Sequence, residues 1–335
     1  MATDYDSIED QIERGHWETL RRRFGGAVMK VTLDRLSRAG QYHPRSLWSR
    51  RGIDVVRDVR YHPGSHRAHL LDIYRPATPN TERLPALLYI HGGAFRILSK
   101  ETHWMMGLMF AKQGFVVFNI NYRLAPKHPY PAALVDVCHA YKWVERNAQS
   151  YGADPTRIVV AGESAGGNLA TALTLLTSYR RPEPWARSMY EESVQPHAAI
   201  VACAVLQVSD SYRFSRTKPI PSFLADRLRD VEEAYFPSHI RVGREPTLAD
   251  PLLLIESRSP DRLIPPMFAF VGTKDPLLDD TRRLKVAMDR HQPGCEIRIY
   301  AGGVHAFHAV YWTTLAKQCW HDQFVFLDTV LGTKK

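Results

Sequence analysis

Ser164 lies in a glycine-rich segment, 162–167, with the sequence Gly-Glu-Ser-Ala-Gly-Gly. An apolar run precedes this segment at 158–161, and a helix-like stretch follows it at 168–176. A buried strand that turns sharply into a helix exposes the serine hydroxyl at the sheet edge and directs the helix N-terminus towards the group attacked. Glycines permit the close backbone approach of such a turn. We therefore predict that Ser164 is a catalytic nucleophile, the alternative being an idle serine in a glycine-rich turn.

A serine becomes a good nucleophile beside a base that is itself oriented by an acid. Asp275 directly follows an apolar run at 267–271, although an aspartate before Pro276 is also a common helix cap. His305 lies in the loop after a run at 297–300 and is one of 15 histidines. The order serine, aspartate, histidine, each just past a predicted strand, selects Asp275 as the acid and His305 as the base. Activity is expected to rise with pH through a histidine pKa of roughly 6 to 7.

Backbone amides that could stabilise an oxyanion follow another predicted strand. The loop 91–95 reads His-Gly-Gly-Ala-Phe, and its glycines let N–H groups come close to a substrate carbonyl. The predicted oxyanion hole consists of Gly92, Gly93, Ala94 and the amide of Ala165 behind the nucleophile.

Large apolar side chains near this loop are candidates for the lining of a substrate pocket. They are Phe95, Trp104, Met105 and Met109. The helical spacing of the last three is equally typical of side chains packed in the core. His91 is expected to shape the loop through hydrogen bonds rather than to act as a second base.

The elements that must position these residues alternate between short apolar runs and longer helical patterns. This alternation predicts an α/β fold in which a mostly parallel sheet, after an antiparallel opening, is covered by helices on both faces. The predicted strands are 55–61, 70–74, 86–90, 115–120, 158–161, 198–205, 267–271 and 297–300. The predicted helices are 102–113, 132–148, 167–178, 279–291 and 310–331.

Two segments depart from this alternation. Residues 1–50 precede the first predicted strand, and residues 209–250, with Arg, Pro and aromatic side chains, separate two core strands. We predict that residues 51–335 form the catalytic domain. The N-terminal segment and the insertion at about 209–250 are expected to form a cap over the C-terminal sheet edge, where ligands of open α/β folds bind.

The composition of the 335 residues, 44% apolar and 24% charged, is that of a globular protein and excludes disordered and fibrous classes. The net charge of +9 is concentrated between Arg21 and Arg51, where nine basic residues accompany one acid. This pattern favours the solvated face of a basic amphipathic helix over a nucleic-acid or membrane-surface site.

Targeting and metal-binding signals are weak in this sequence. The first 20 residues are acidic and polar, unlike a secretion signal, and the longest apolar stretch, 198–206, is too short to cross a bilayer. Cytoplasmic residence and no membrane span are expected. The four cysteines lie far apart. His305 and His308 are three residues apart and could face one ion, but no nearby cysteine or other metal-binding motif supports such a site, so no metal is predicted.

Five short motifs occur in the order 91–95, 121–126 (Asn-Tyr-Arg-Leu-Ala-Pro), 162–167, 275–279 (Asp-Pro-Leu-Leu-Asp) and 305–307 (His-Ala-Phe). Together they resemble the motifs of the hormone-sensitive-lipase-like (HSL-like) family of α/β-hydrolase carboxylesterases. The resemblance implies an α/β-hydrolase fold with a helical cap and a cofactor-free serine esterase that acts on short to medium acyl esters.

In that family the triad falls on the positions of Ser164, Asp275 and His305. Two residues depart from the family pattern. Ala94 stands where glycine is more common, and Glu163 stands where aspartate is common. Neither difference removes a catalytic group, although the methyl group of Ala94 could change the acyl preference.

Three other functions stay open at this point: an amidase or peptidase with the same triad, a non-catalytic binding protein on the same fold, and a nucleic-acid binder that uses the basic segment. No nucleic-acid-binding module is recognisable, so no nucleic-acid partner is predicted. The expected partner is a small-molecule ester substrate. Association into a homodimer is left open.

Overall fold

The computed structural model describes Thr32, Arg35, Ser37 and residues 50–78, 82–217, 220–240, 246–291 and 295–332. The predicted N-terminal cap segment and the basic segment therefore lie largely outside the described residues. Within the described ranges, the strands in chain order are β1 (Ile53–Arg60), β2 (Leu70–Pro76), β3 (Leu84–Ile90), β4 (Val116–Ile120), β5 (Ala153–Glu163), β6 (Ala198–Ala202), β7 (Met267–Gly272) and β8 (Glu296–Tyr300).

The strands form one sheet in the order β1-β2-β4-β3-β5-β6-β7-β8. β2 is antiparallel to both β1 and β4, and all other neighbours are parallel. The predicted parallel sheet with an antiparallel opening is therefore confirmed. β6 ends at Ala202 rather than at residue 205, because Cys203 has a φ of 37°, a left-handed conformation that interrupts a strand.

The helices of the described ranges are α1 (Trp104–Ala111), α2 (Ala132–Asn147), α3 (Ala165–Leu176), α4 (Pro184–Glu192), α5 (Arg213–Thr217), α6 (Ser222–Tyr235), α7 (Pro251–Ser257), α8 (Leu278–His291) and α9 (Thr314–Leu331). All five predicted helices are present. The four helices α4 to α7 were not predicted individually. Two of them, α4 and α7, each begin with a proline in the first turn, where its missing N–H has no helical partner to lose. α9 starts later than predicted, at the residue after Thr313, whose side chain accepts a hydrogen bond from the N–H of Ala316.

Apolar side chains cover both faces of the sheet. On β3, Leu88 and Ile90 pack into one core cluster, and Leu87 and Tyr89 pack into the cluster on the opposite face. This two-sided burial explains why the parallel strands read as continuous apolar runs rather than as alternating patterns. No helix in the described ranges is both long and apolar enough to span a bilayer.

The connection between β6 and β7 contains α5 and α6. Both helices lie within residues 209–250, the segment predicted as an insertion. Tyr235, the last residue of α6, is fully buried and stacks on Phe95 with ring centroids 3.7 Å apart. At the base of the same connection, Arg213 forms an ion pair with the buried Asp280 of α8 at 2.8 Å. The insertion is thereby anchored both to the loop after β3 and to α8.

Candidate active site

Ser164 occupies the turn between β5 and α3 in a strained conformation, with φ 53° and ψ −117°. A residue other than glycine rarely adopts a positive φ, and such strain is typical of functional sites. The N–H of Ser164 donates to the carbonyl of Ala202 at 2.8 Å and fixes the turn against β6. A Cβ on Gly162 would lie 2.3 Å from the carbonyl oxygen of Gly166. The turn therefore requires the glycines that the sequence supplies.

Asp275 and His305 meet Ser164 at the same edge of the sheet. The Nε2 atom of His305 lies 3.1 Å from the Ser164 hydroxyl oxygen, and its Nδ1 atom lies 2.9 Å from Oδ2 of Asp275. Asp275 is fully buried, and its other carboxylate oxygen accepts the N–H of Leu277 at 2.8 Å. The three side chains converge because each follows the carboxyl end of a parallel strand, β5, β7 or β8.

The environment of His305 favours its protonated form. Burial lowers the pKa of His305, but the neighbouring Cys203 and the hydrogen bond and charge of Asp275 raise it, and the net direction is well above the ordinary histidine value. Burial also raises the pKa of the Cys203 thiol. The Asp275 carboxylate, 2.9 Å from Nδ1, stabilises the imidazolium through its hydrogen bond and its charge. The imidazole is 39% exposed, which limits the opposing effect of desolvation.

The loop after β3 presents backbone amides beside Ser164. Gly93 has a φ of 113°, and a Cβ there would lie 2.1 Å from the carbonyl oxygen of Ile97. Gly93 and Ala94 line the same cavity as Ser164. Ala165 is the first residue of α3, so its N–H has no acceptor within the helix.

Gly92, also predicted for the oxyanion hole, is placed differently. Its nitrogen lies 3.4 Å from Nε2 of His103, and a Cβ on Gly92 would meet the side chain of Glu163 at 3.1 Å. Gly93 and Ala94 line the cavity but Gly92 does not, so the amides of Gly93, Ala94 and Ala165 are the ones that could receive an oxyanion.

Glu163, the residue before the nucleophile, joins three segments of the site. Its Oε1 atom accepts a hydrogen bond from Nε2 of His103, at the start of α1, at 2.8 Å. Its Oε2 atom lies 3.1 Å from Nε2 of His308, three residues beyond His305. Burial raises the pKa of Glu163, but the two histidines overcome it, and the carboxylate pKa falls well below its usual range. In the sequence, Glu163 stands out only as a departure from the family pattern, and no pattern connects it with His103 or His308.

A cavity of about 1200 Å³ opens onto Ser164. Its walls are mainly apolar and include Ile97, Leu98, Trp104, Met105, Phe223, Leu224, Leu228, Val231, Tyr311 and Trp312. Trp104 and Met105, two of the side chains suggested as pocket lining from the sequence, therefore lie in the cavity wall. Phe95 instead stacks on Tyr235, and Met109 packs against the core. Neither side chain lines the cavity.

Cys203 is a further neighbour of the triad that the sequence did not reveal. Its sulfur, a carboxylate oxygen of Asp275 and a ring nitrogen of His305 all lie within 4.8 Å of one another. Cys203 and Asp275 are buried, and the N–H of Cys203 donates to the carbonyl of Phe270 at 2.7 Å. The three residues are far apart in the chain, so no spacing rule could have connected them.

Comparison with known proteins identifies similar sequences. A protein-family model described as the α/β hydrolase fold matches residues 87–309. Esterase LipI of Mycobacterium tuberculosis is 30% identical over 217 residues, which cover 62% of this chain and 61% of LipI. The matched segment thus spans about 61% of the length of this curated relative.

Solved structures of other proteins superpose on most of this chain. Esterase B from Lactobacillus rhamnosis superposes with a TM-score of 0.77 at 16% identity, covering 94% of this chain and 95% of that one. An esterase from Pyrobaculum calidifontis superposes with a TM-score of 0.72 at 24% identity, covering 91% and 93% of the two chains. The fold predicted from the sequence is confirmed.

Proposed function

Because the chain belongs to the α/β-hydrolase fold family, we propose that it is a serine carboxylic-ester hydrolase that works through an acyl-enzyme. The observation that carries this proposal is the line of contacts from the buried Asp275 through His305 to Ser164, which ends at a large apolar cavity. The same constellation of groups performs acyl transfer on several unrelated folds.

In the proposed reaction, His305 takes the hydroxyl proton of Ser164 as the serine oxygen attacks the ester carbonyl. Asp275 holds the Nδ1 side of the ring and stabilises the imidazolium that forms. His305 then gives the proton to the leaving alcohol, and Ser164 is left acylated. Water activated by His305 releases the acid and regenerates the enzyme.

The negative charge of the tetrahedral intermediate is stabilised by backbone amides of Gly93, Ala94 and Ala165. The fixed positive φ at Gly93 preorganises its loop, so little reorganisation is needed as the charge develops. The N-terminus of α3 adds the favourable end of its dipole beside Ser164.

We further propose that the insertion and the N-terminal segment act as a cap. Phe223, Leu224 and Leu228 of α6 form one wall of the cavity. Ser37 lines the same cavity and donates its hydroxyl to the carbonyl of Thr102 at 2.6 Å. A cover over the serine excludes water and restricts which acyl chains enter.

The proposed substrates are small neutral esters with short to medium acyl chains. The mainly apolar walls favour an uncharged acyl group, since a charge moved there would lose its hydration. At about 1200 Å³ the cavity also exceeds the roughly 300–1,000 Å³ of common small-molecule sites. Longer chains therefore have room as well, and a series of p-nitrophenyl esters from acetate to palmitate measures the preference.

The decisive experiment compares the protein with Ser164→Ala on p-nitrophenyl butyrate. We expect turnover to fall by about 10⁵- to 10⁶-fold, by analogy with triad deletions in another serine hydrolase. Ser215→Ala, which changes an exposed serine outside the cavity lining, is the matched control and retains activity. Near-full activity in Ser164→Ala would refute the assignment.

A fluorophosphonate probe and an anilide substrate separate the alternatives. Covalent labelling that disappears in Ser164→Ala indicates a working nucleophile, whereas the absence of labelling indicates a binding protein. Matched ester and anilide substrates compare esterase with amidase activity, because the anilide has the poorer leaving group. The proposal requires the ester to be the better substrate.

A further inference from the structure

The triad side chains share their buried end with a thiol. The sulfur of Cys203, a carboxylate oxygen of Asp275 and a ring nitrogen of His305 lie within 4.8 Å of one another. The proposed esterase reaction uses the carboxylate and the imidazole but leaves the thiol without a role. Sulfur, imidazole nitrogen and carboxylate oxygen are together a set of ligands suited to Zn²⁺ and to similar borderline-soft divalent ions.

The geometry of the cluster is close to that of a metal site. In a tetrahedral zinc site the ligand atoms lie at about 2.0–2.3 Å from the ion, and hence roughly 3.3–3.8 Å from one another. The three atoms all lie within 4.8 Å of one another, and the contact between Nδ1 of His305 and Oδ2 of Asp275 is 2.9 Å. Shifts on the order of 1 Å bring all three atoms to ligand distance. His305 supplies the route of entry, since its side chain is 39% exposed at the cavity while the other two are buried.

We propose that Cys203, Asp275 and His305 form an inhibitory site for Zn²⁺ and similar divalent ions. The ion displaces the thiol proton of Cys203 and one proton of the His305 imidazolium, both of which are released to solvent, and binds the resulting thiolate, the Asp275 carboxylate and the neutral imidazole. A water molecule completes the tetrahedral coordination.

Metal binding at this site removes the base function of His305 whichever ring nitrogen is used. If the ion binds Nε2, the lone pair that would accept the Ser164 proton is occupied. If it binds Nδ1, the neutral ring must carry its proton on Nε2, and that nitrogen cannot accept another. Inhibition of ester hydrolysis therefore rests on the proposed function, whereas metal binding itself does not.

The test measures binding and inhibition separately on the full-length protein. Cobalt(II) is titrated into thiol-free and chelator-free buffer, and the thiolate-to-cobalt charge-transfer absorption reports a metal–sulfur bond. In parallel, Zn²⁺ is titrated into an assay of p-nitrophenyl butyrate hydrolysis. We expect the charge-transfer band and inhibition that a chelator reverses.

Cys203→Ser is the informative variant, because it retains a small polar side chain next to His305 but removes the thiolate. Each variant is compared with its own metal-free activity. The band should disappear, and the Zn²⁺ concentration for half-inhibition should rise by at least about 100-fold, since loss of an outer-shell partner alone often weakens metal binding by 10- to 100-fold. Cys295→Ser, which alters a more accessible thiol elsewhere, should keep both responses.

The possible outcomes are distinct. A wild-type protein without the cobalt–thiolate band, or a band and inhibition unchanged in Cys203→Ser, overturns the metal site. A protein that shows the Cys203-dependent band but hydrolyses no ester supports the metal site and refutes the proposed function instead. Loss of folding in Cys203→Ser is checked by circular dichroism, and Cys203→Ala then provides the same comparison.

Discussion

Oε2 of Glu163 lies 3.1 Å from Nε2 of His308, so the residue before the proposed nucleophile contacts the loop that carries the proposed base. Its other carboxylate oxygen accepts a hydrogen bond from Nε2 of His103, and this nitrogen lies 3.4 Å from the nitrogen of Gly92 in the oxyanion loop. Glu163, His103 and His308 are all buried. A single carboxylate thereby fixes three loops whose mutual positions decide the geometry of the site.

We predict that Glu163→Gln lowers both stability and turnover. The amide keeps an acceptor for one histidine but places N–H groups towards the other and removes the charge between them. The melting temperature should fall, and kcat should fall by up to about 100-fold, the effect of a misplacement of about 1 Å at a reacting centre. Glu163→Asp retains the charge and should recover part of the loss. Scanning calorimetry and ester kinetics measure the two effects; unchanged values in Glu163→Gln would exclude this positioning role.

Gly93→Ala is predicted to damage the proposed oxyanion hole. The new Cβ would lie 2.1 Å from the carbonyl oxygen of Ile97, so the loop would have to move. Misalignment of one oxyanion donor typically reduces kcat by about 10²- to 10³-fold.

The matched control for this change is Gly114→Ala. Gly114 also has a positive φ, of 90°, but a Cβ there meets no atom within 4 Å. It should therefore lose about 1–2 kcal/mol of stability through backbone strain and keep its kcat. Equal effects of both substitutions on kcat would show that strain, rather than the oxyanion loop, is responsible.

The convergence of Ser164, Asp275 and His305 could be predicted from the sequence because it follows from topology. Ser164, Asp275 and His305 each come directly after an apolar run, and parallel strands place their carboxyl ends at one edge. The fold follows from the same runs, since strands buried on both faces are continuously apolar. These features depend on local patterns and on a rule of connectivity, both of which are visible in one sequence.

The neighbours of these three residues could not be predicted, because their contacts depend on loop geometry and on side-chain direction. Cys203 itself adopts the left-handed conformation that ends β6 early, and its side chain lies near Asp275 and His305. His308 lies against Glu163. Phe95, next to the oxyanion loop in sequence, packs under the insertion. Sequence spacing alone does not contain these distances.

The pH dependence of activity provides a third prediction. His305 must be neutral to accept the Ser164 proton, so kcat/KM should rise as the pH rises through its pKa. Because that pKa is well above the ordinary histidine value, the midpoint should lie above the range of about 6 to 7 expected for an unperturbed base.

Asp275→Asn tests the cause of this shift. Loss of the carboxylate should lower the midpoint and reduce kcat by about 10⁴-fold, as the equivalent change does in another serine hydrolase. Asp279→Asn, which alters a carboxylate paired with Arg282 at the start of α8, is the control and should leave the profile unchanged. An unshifted midpoint in Asp275→Asn would show that its carboxylate does not set the pKa.

The fourth prediction concerns stability in acid and arises from a group of histidines remote from Ser164. The group consists of His62, His66, His69, His128 and His139. Each ring centroid lies within 5.5 Å of the centroid of another ring in the group. Burial, together with the positive charge of Arg123, lowers the pKa values of His69, His128 and His139. Asp136, which binds His69 and Arg123, opposes this effect without reversing it.

Since these pKa values are lower in the folded state, the unfolded chain binds more protons when the pH falls below about 6.5, and stability must decrease there. Thermal unfolding measured between about pH 7.5 and 5.5 should therefore show a falling melting temperature. His139→Gln removes one of the rings, 4.3 Å from His62, and should make this decrease smaller. His321→Gln, an exposed histidine on α9, should retain the full decrease. If His139→Gln and His321→Gln lose stability in parallel with the unaltered protein, the acid sensitivity arises elsewhere, because removal of a group whose pKa is lowered in the folded state must make the decrease smaller.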